Sequence, residues 1–449
     1  MPVSPDIAYL LSQEARAMLT RLDRLRPFAL LGPMVPAASL FPNAQSAIER
    51  ALFHGRQELR GLTHGFLAWL AGPGLDGNAS QAQRRFALLK LRFQAVLNEF
   101  DMFNNVITQR SEQDNGPWLA GLDVVAADAL ALPGRYYALP PIICYLDRGI
   151  GASIRRARTR LPGGATNPVA IIRVPRERMI GSGIAASLIH EVGHQAAALL
   201  DLVPSLRLTL QALQRDKSVD RDLWAIWERW LSEIVADFFS MARVGIAATM
   251  GLMGVVSLPR PFVFRIDLDD PHPTPWLRVK LSAAMGQALH PHPQWSRLAA
   301  TWEELYPPVG LEDAKLAMLR RLDAHMPKFV AQLVNHRLAR LGGRTLADVL
   351  QTSTRAPARL AALFTSWSAD PAAMYRARPT VVFATLGQAR VDRRLSPEDE
   401  SALFARLLTF WALKTTLDTS YECAVSGTRL RDARLAALES PSATGVTIH

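Results

Sequence analysis

Lysine is nearly missing from this chain of 449 residues. Lys and Arg total 51, and only Lys90, Lys217, Lys280, Lys315, Lys328 and Lys414 are Lys, so Arg carries the formal net charge of +11. A basic surface attracts nucleic acid, but no basic run with interleaved aromatics, helix-turn-helix signature or zinc-finger spacing accompanies it. The densest cluster, Arg155, Arg156, Arg158 and Arg160, is short. The charge reads as solubilising, and no specific nucleic-acid partner is expected. Cysteine is scarce too. Cys144 and Cys423 are far apart and neither has a CxxC partner, which excludes a disulfide framework and argues against a thiolate metal site. Their scarcity fits a reducing, cytoplasmic setting. Long apolar runs are also lacking. Val244 to Pro259 is uncharged between Arg243 and Arg260, but it falls short of the roughly 17–25 residues of a membrane span. It reads as a buried helix or loop, and membrane association is not expected. Met1 to Glu14 has no basic start, with Asp6 and Glu14 early, and does not read as a signal peptide.

What remains is ordinary globular composition, with 49% hydrophobic and 20% charged residues. The length suffices for two or three domains. Apolar spacing predicts helices over Asn43–Leu70 and Ser80–Ile107. Short β-prone runs at Ile142–Leu146 and Val169–Val174 predict strands. Helices are expected again over Ser182–Leu202, Asp222–Ala242 and Leu311–Leu341. Another should start at Ser396-Pro397-Glu398-Asp399, where a capping hydroxyl precedes proline and acids. Ser440–His449 reads as a loose tail. The expected layout is mainly α, with a small α/β (α+β) core over residues 133–297 between helical regions 1–132 and 298–449.

The sharpest signal is His190-Glu191-Val192-Gly193-His194, an H-E-x-x-H match. Residues four apart lie one turn apart on one helix face, so both imidazoles can reach one tetrahedral zinc ion. Glu191 is then placed as general base toward water in the open position. The flanking residues Ala185, Leu188, Ile189, Val192 and Ala196 are apolar. A buried helix carrying two His and a Glu needs polar partners, and a metal is one.

Catalytic zinc usually takes three protein ligands. On the next helix Glu233 and Asp237 stand four apart among Leu231, Ile234, Val235, Ala236, Phe238 and Phe239. Two carboxylates in so apolar a segment are costly without a cation. Glu233 as third ligand and Asp237 as acceptor for a ligand imidazole N–H account for both. Ala236 is small enough to let the two helices approach. Glu228, beside Arg229, reads as solvent-exposed, and several of the ten Trp cluster near this site. His272 stands between prolines six residues before Arg278, and the two are placed to stabilise an oxyanion.

Together these residues resemble the gluzincin metallopeptidases. Among them the resemblance is to the family of the CAAX prenyl proteases and the related membrane heat-shock endopeptidases. That family shows H-E-x-x-H, then E-x-x-A-D, then H-P with an Arg six residues after the His. Here these are His190–His194, Glu233–Asp237, and His272-Pro273 with Arg278, over about Ile171–Leu281. The resemblance implies a zincin-like catalytic core, with Zn2+ held by His190, His194 and Glu233 and with Glu191 as base. It implies that Asp237 orients a ligand His, and that His272 and Arg278 serve the substrate or the site's polar network. The substrate class is then a peptide or protein. Family members are typically membrane-embedded, so neither a prenylated substrate nor a membrane location carries over.

Two other readings compete. Gly181-Ser182-Gly183-Ile184-Ala185-Ala186 fits G-x-G-x-x-A, with Asp201 further on, a dinucleotide-binding fingerprint. Arg176, Glu177 and Arg178 separate it from the preceding strand, and Asp201 ends no second strand. Ser182 then reads as a candidate N-cap of the zinc helix. The second competitor is a catalytically silent zinc-binding scaffold. Glu191 argues for the enzyme, since a purely structural site has no use for a base.

Overall fold

The computed structural model describes the chain except residues 1–2, 26–33, 75, 113–114, 150, 162–163, 177–180, 216–219 and 440–449. The expected Ser440–His449 tail thus lies outside the described residues. The protein is mainly α with small sheets.

Helices α1 (Pro5–Arg24), α2 (Pro42–Leu70), α3 (Ala79–Thr108) and α4 (Asn115–Leu130) come first. A three-stranded sheet follows, with β1 (Ile142–Asp147), β2 (Ser153–Arg155) and β3 (Ala170–Pro175) in the order β1-β3-β2. β1 runs parallel to β3 with Cys144 opposite Ile172, and β2 pairs antiparallel as an edge. Alternation along the strands gives the sheet two apolar faces. Ile143 and Ile171 pack with Phe66, Phe93 and Phe103 of the first helices. Ile142, Cys144 and Ile172 pack with Leu122 on one side and with Leu188 and Val192 beyond.

Next come α5 (Ser182–Leu200), α6 (Leu202–Arg215), α7 (Arg221–Arg229), α8 (Leu231–Val244), α9 (Ile246–Val256), α10 (Arg260–Val263) and α11 (Pro275–Leu289). The expected Ser182–Leu202 helix stops at Asp201, which is left-handed (φ 53°, ψ 32°). The chain then bends by 76° into α6. The expected Asp222–Ala242 helix is two helices, broken at the buried Trp230 (φ −87°, ψ 0°). The first helix thus ends within two residues of the expectation, but apolar residues run through Trp230 at helical spacing, so the pattern carried no warning of the second break. No single described helix is long and apolar enough to cross a membrane, although the bent α5–α6 pair passes by length and composition.

Then α12 (Gln294–Leu305) and α13 (Asp313–Asn335) pack on α11. α13 ends short of the expected Leu341, where the chain turns into a hairpin of β4 (Arg337–Leu338) and β5 (Arg344–Thr345). The remaining helices are α14 (Leu346–Leu350), α15 (Pro357–Ala369), α16 (Pro371–Arg376), α17 (Pro379–Val391) and α18 (Pro397–Glu439). Ser396 Oγ accepts from the Asp399 N–H at 3.0 Å, the cap expected there.

The tryptophans do not gather at the metal centre. Trp227 stacks on Phe329 at 4.7 Å, and Trp224 meets the His325 ring edge-on, holding α7 to α13. Glu228 is half-buried rather than exposed, accepting from Gln211 and Gln214.

α18 packs along α4, and α4 is tied to α17 by a carboxylate. Asp128 accepts from Arg378 Nε at 2.8 Å, from the Thr380 N–H at 2.9 Å and from Thr380 Oγ1 at 2.7 Å. Burial would raise its pKa, but the Arg378 charge and the Thr380 bonds outweigh that and hold it low. A depressed folded pKa means stability that is present above the unfolded value and lost as pH falls through the folded one. Asp128→Ala should therefore cost about 1–3 kcal/mol at neutral pH in urea unfolding, the half-exposed Arg378 being screened by solvent. It should also flatten the loss of stability below about pH 4.

Candidate metal centre

The centre is built where α5 crosses α8. Gly193 makes the crossing close: a Cβ there would lie 2.9 Å from both Cα and O of Ala236 and 3.2 Å from Phe239 Cβ. Ala236 is the small partner expected, and Gly193, inside the H-E-x-x-H motif, is the second. His190 and His194 sit one turn apart on α5, with ring centroids 4.8 Å apart. Glu233 on α8 meets both. Its Oε2 is 3.2 Å from His190 Nε2, and its Oε1 is 3.4 Å from His194 Nε2. One donor atom from each residue lies within 4.8 Å of the other two. Two imidazole nitrogens and one carboxylate oxygen converge, and this donor set suits a divalent transition metal such as zinc.

Asp237, one turn beyond Glu233, places Oδ1 2.8 Å from His190 Nδ1, where an acceptor for a ligand imidazole belongs. Arg278 of α11 grips the same carboxylate, donating from Nε to Oδ2 at 2.6 Å and from Nη2 to Oδ1 at 2.9 Å. Its guanidinium is 3.9 Å from Glu233 Oε2. Arg278 therefore serves the polar network, its fork spent on Asp237. His272 does face the site, with Nε2 3.2 Å from Glu233 Oε2. Sequence reasoning missed the residue that aims it. Asp270 Oδ1 accepts the His272 backbone N–H at 2.9 Å and lies 2.7 Å from Nδ1. The signal was an Asp two residues before the His, a spacing at which Asp commonly closes a turn onto the backbone.

The electrostatics follow from burial against pairing. Burial would raise the pKa of Asp237, but the Arg278 charge and the His190 hydrogen bond pull it far down. Burial is likewise overcome at Glu233, where bonds to His190, His194 and His272 hold the carboxylate ionised. Burial alone would lower His190, yet Asp237 and Glu233 push it up to about 9. Glu191 is the exception: burial dominates and its pKa is raised, the direction that suits a proton acceptor working near neutrality. Glu191, His190, His272 and Arg278 share a cavity of about 110 Å3, floored by Ala248, Leu252 and Val255 of α9.

The start of α5 is also held. Ser182 is the first helical residue, not the cap. The cap is Gly181, at φ 53° and ψ −134°, a conformation favouring glycine. A Cβ on Gly181 would collide with Glu400 Oε2. Glu400 on α18 is buried and paired with Arg390 Nε at 3.1 Å, so a carboxylate packs where the helix dipole favours one. Asp201, the residue of the dinucleotide reading, pairs with Arg340. The link between Pro175 and Gly181 falls largely outside the described residues.

Three outcomes should follow. Gly193→Ala should push α5 from α8, costing about 1–3 kcal/mol from overpacking and lowering metal content after dialysis. Glu233→Ala should lower it further, and equal metal in native and variant protein would remove Glu233 from the site. Because a metal must displace the His190 proton, affinity should weaken as pH falls below about 9, measured by chelator competition.

No protein-family model, curated protein or solved structure matches the chain. What the centre can do therefore rests on its own geometry, in which His190, His194 and Glu233 can together hold one metal ion.

Proposed function

We propose that the chain is a zinc-dependent peptidase of the gluzincin type. The observation that carries the reading is Glu191. This carboxylate, raised in pKa by burial, opens into the cavity that also holds His190, a turn before His194 on the same helix. A structural metal site has no use for such a group. A zinc ion held by His190, His194 and Glu233 would act as a Lewis acid, acidifying water and polarising a carbonyl.

The chain's own groups then divide the work. Glu191 accepts the proton of the attacking water and passes it to the leaving amide nitrogen. Asp237 holds His190 in one tautomer and ring orientation, and Arg278 holds Asp237. His272, aimed by Asp270, is about half exposed and presents its imidazole to the substrate carbonyl as charge develops on oxygen. The resemblance to the CAAX prenyl protease and heat-shock endopeptidase family supports the same ligand set. The substrate is a peptide or protein. A cytoplasmic setting fits the two unpaired cysteines, of which Cys144 is buried and Cys423 exposed.

Glu191→Gln should retain zinc at the native level and lose turnover of a peptide library by about 100-fold or more. Cleavage by that variant at the native rate would overturn the mechanism.

A further inference from the structure

The cavity at the metal centre does not end at His272. A second cavity of about 320 Å3 continues past that ring, and the two share Gly151, Val255, His272 and Arg278. Its apolar wall comes from the end of α9 and from α10, through Val255, Val256, Leu258 and Phe262. Leu258 is 40% exposed and Phe262 55%. Large apolar groups left open on the wall of a cavity are the kind of exposure that marks a binding surface. The charges at its rim are engaged with one another, Arg265 with Asp267 and Asp270 with His272, so the space does not select for an ion.

A buried hydroxyl adds to this. Thr274 occupies the N-cap position of α11, where a threonine ordinarily accepts from a backbone N–H of the first turn. Here its side chain makes no capping bond. Thr274 lines the second cavity, and its buried Oγ1 has no hydrogen-bond partner among the described residues. Ser240 Oγ is in the same position beside the first cavity. Buried hydroxyls without partners are costly, and a peptide backbone, with donors and acceptors alternating between its side chains, can satisfy them.

Building on the peptidase reading, we propose that this second cavity is a substrate subsite. It takes a bulky aliphatic or aromatic side chain of the peptide being cleaved against Leu258 and Phe262, and Thr274 Oγ1 bonds the adjoining peptide backbone. The substrate class is thus narrowed to peptides carrying an apolar residue at a fixed distance from the scissile bond.

The test uses the full-length zinc-loaded protein and a fluorogenic peptide library in which Leu is replaced by Ser one position at a time. The native protein should lose about tenfold or more in kcat/KM at one position. In Phe262→Ser, an exposed change that should leave thermal unfolding unaltered, the preference for Leu at that position should collapse, chiefly through KM. Thr274→Val should raise KM for every peptide without altering the preference. Labelled Leu and Ser peptides titrated into Glu191→Gln give a readout independent of turnover, and Phe262→Ser added to that variant should erase their difference in Kd. Cleavage by the native protein with no preference lost in Phe262→Ser would overturn the subsite and leave the peptidase reading standing. Failure of the native protein to cleave any library peptide would instead remove the peptidase reading, and the subsite with it.

Discussion

The contact of Gly193 with Ala236 is the constraint on which the centre depends. A carboxylate is short, and Glu233 reaches both imidazoles only because the backbones of α5 and α8 touch, with no side chain between them at the crossing. The same closeness buries Glu233 and Asp237 among apolar neighbours. That burial is tolerable because each carboxylate oxygen of Glu233 and Asp237 meets a nitrogen, from His190, His194, His272 or Arg278. Packing and charge pairing are here one requirement: move the helices apart and both the donor set and the compensation for buried charge fail together.

Arg278 illustrates how distant chain segments are enlisted. It comes from α11, yet it completes Asp237 on α8, which in turn orients His190 on α5. A charge held this way contributes through a second residue. The guanidinium fork suits the task, because two parallel N–H bonds fix a carboxylate in angle as well as distance.

Much of the site was legible in the sequence, and for physical reasons. His190, Glu191 and His194 are fixed by helical spacing alone. Glu233 and Asp237 stood out because carboxylates in so apolar a segment demand a partner. Arg278 and His272 were read from the residues as oxyanion groups, and only the resemblance offered the polar network in which Arg278 stands; which group each would face depends on the path of the chain between α10 and α11. The fold was legible at the level of mainly α with small sheets. The strands β1 and β3 were readable from their apolar runs, whereas β2, only Ser153–Arg155, has too few residues to show a period. The end of α5 at Asp201 falls within two residues of the expected Leu202, whereas the break at Trp230 left no trace because no glycine or proline marks it, and tertiary packing imposes it. The tryptophans misled for a related reason. Their proximity along the chain to Glu233 said nothing about which side of α7 they occupy, and that side faces α13.

The meeting of Gly181 with Glu400 bears on how the molecule comes into being. Translation releases the H-E-x-x-H helix long before it releases α18, so a nascent polypeptide still threading the ribosome lacks the carboxylate that packs against the first turn of α5. A long helix made much later closes over the start of the element that carries the reactive groups. A chain synthesised only through α5 therefore holds these groups in an unfinished frame until α18 has emerged.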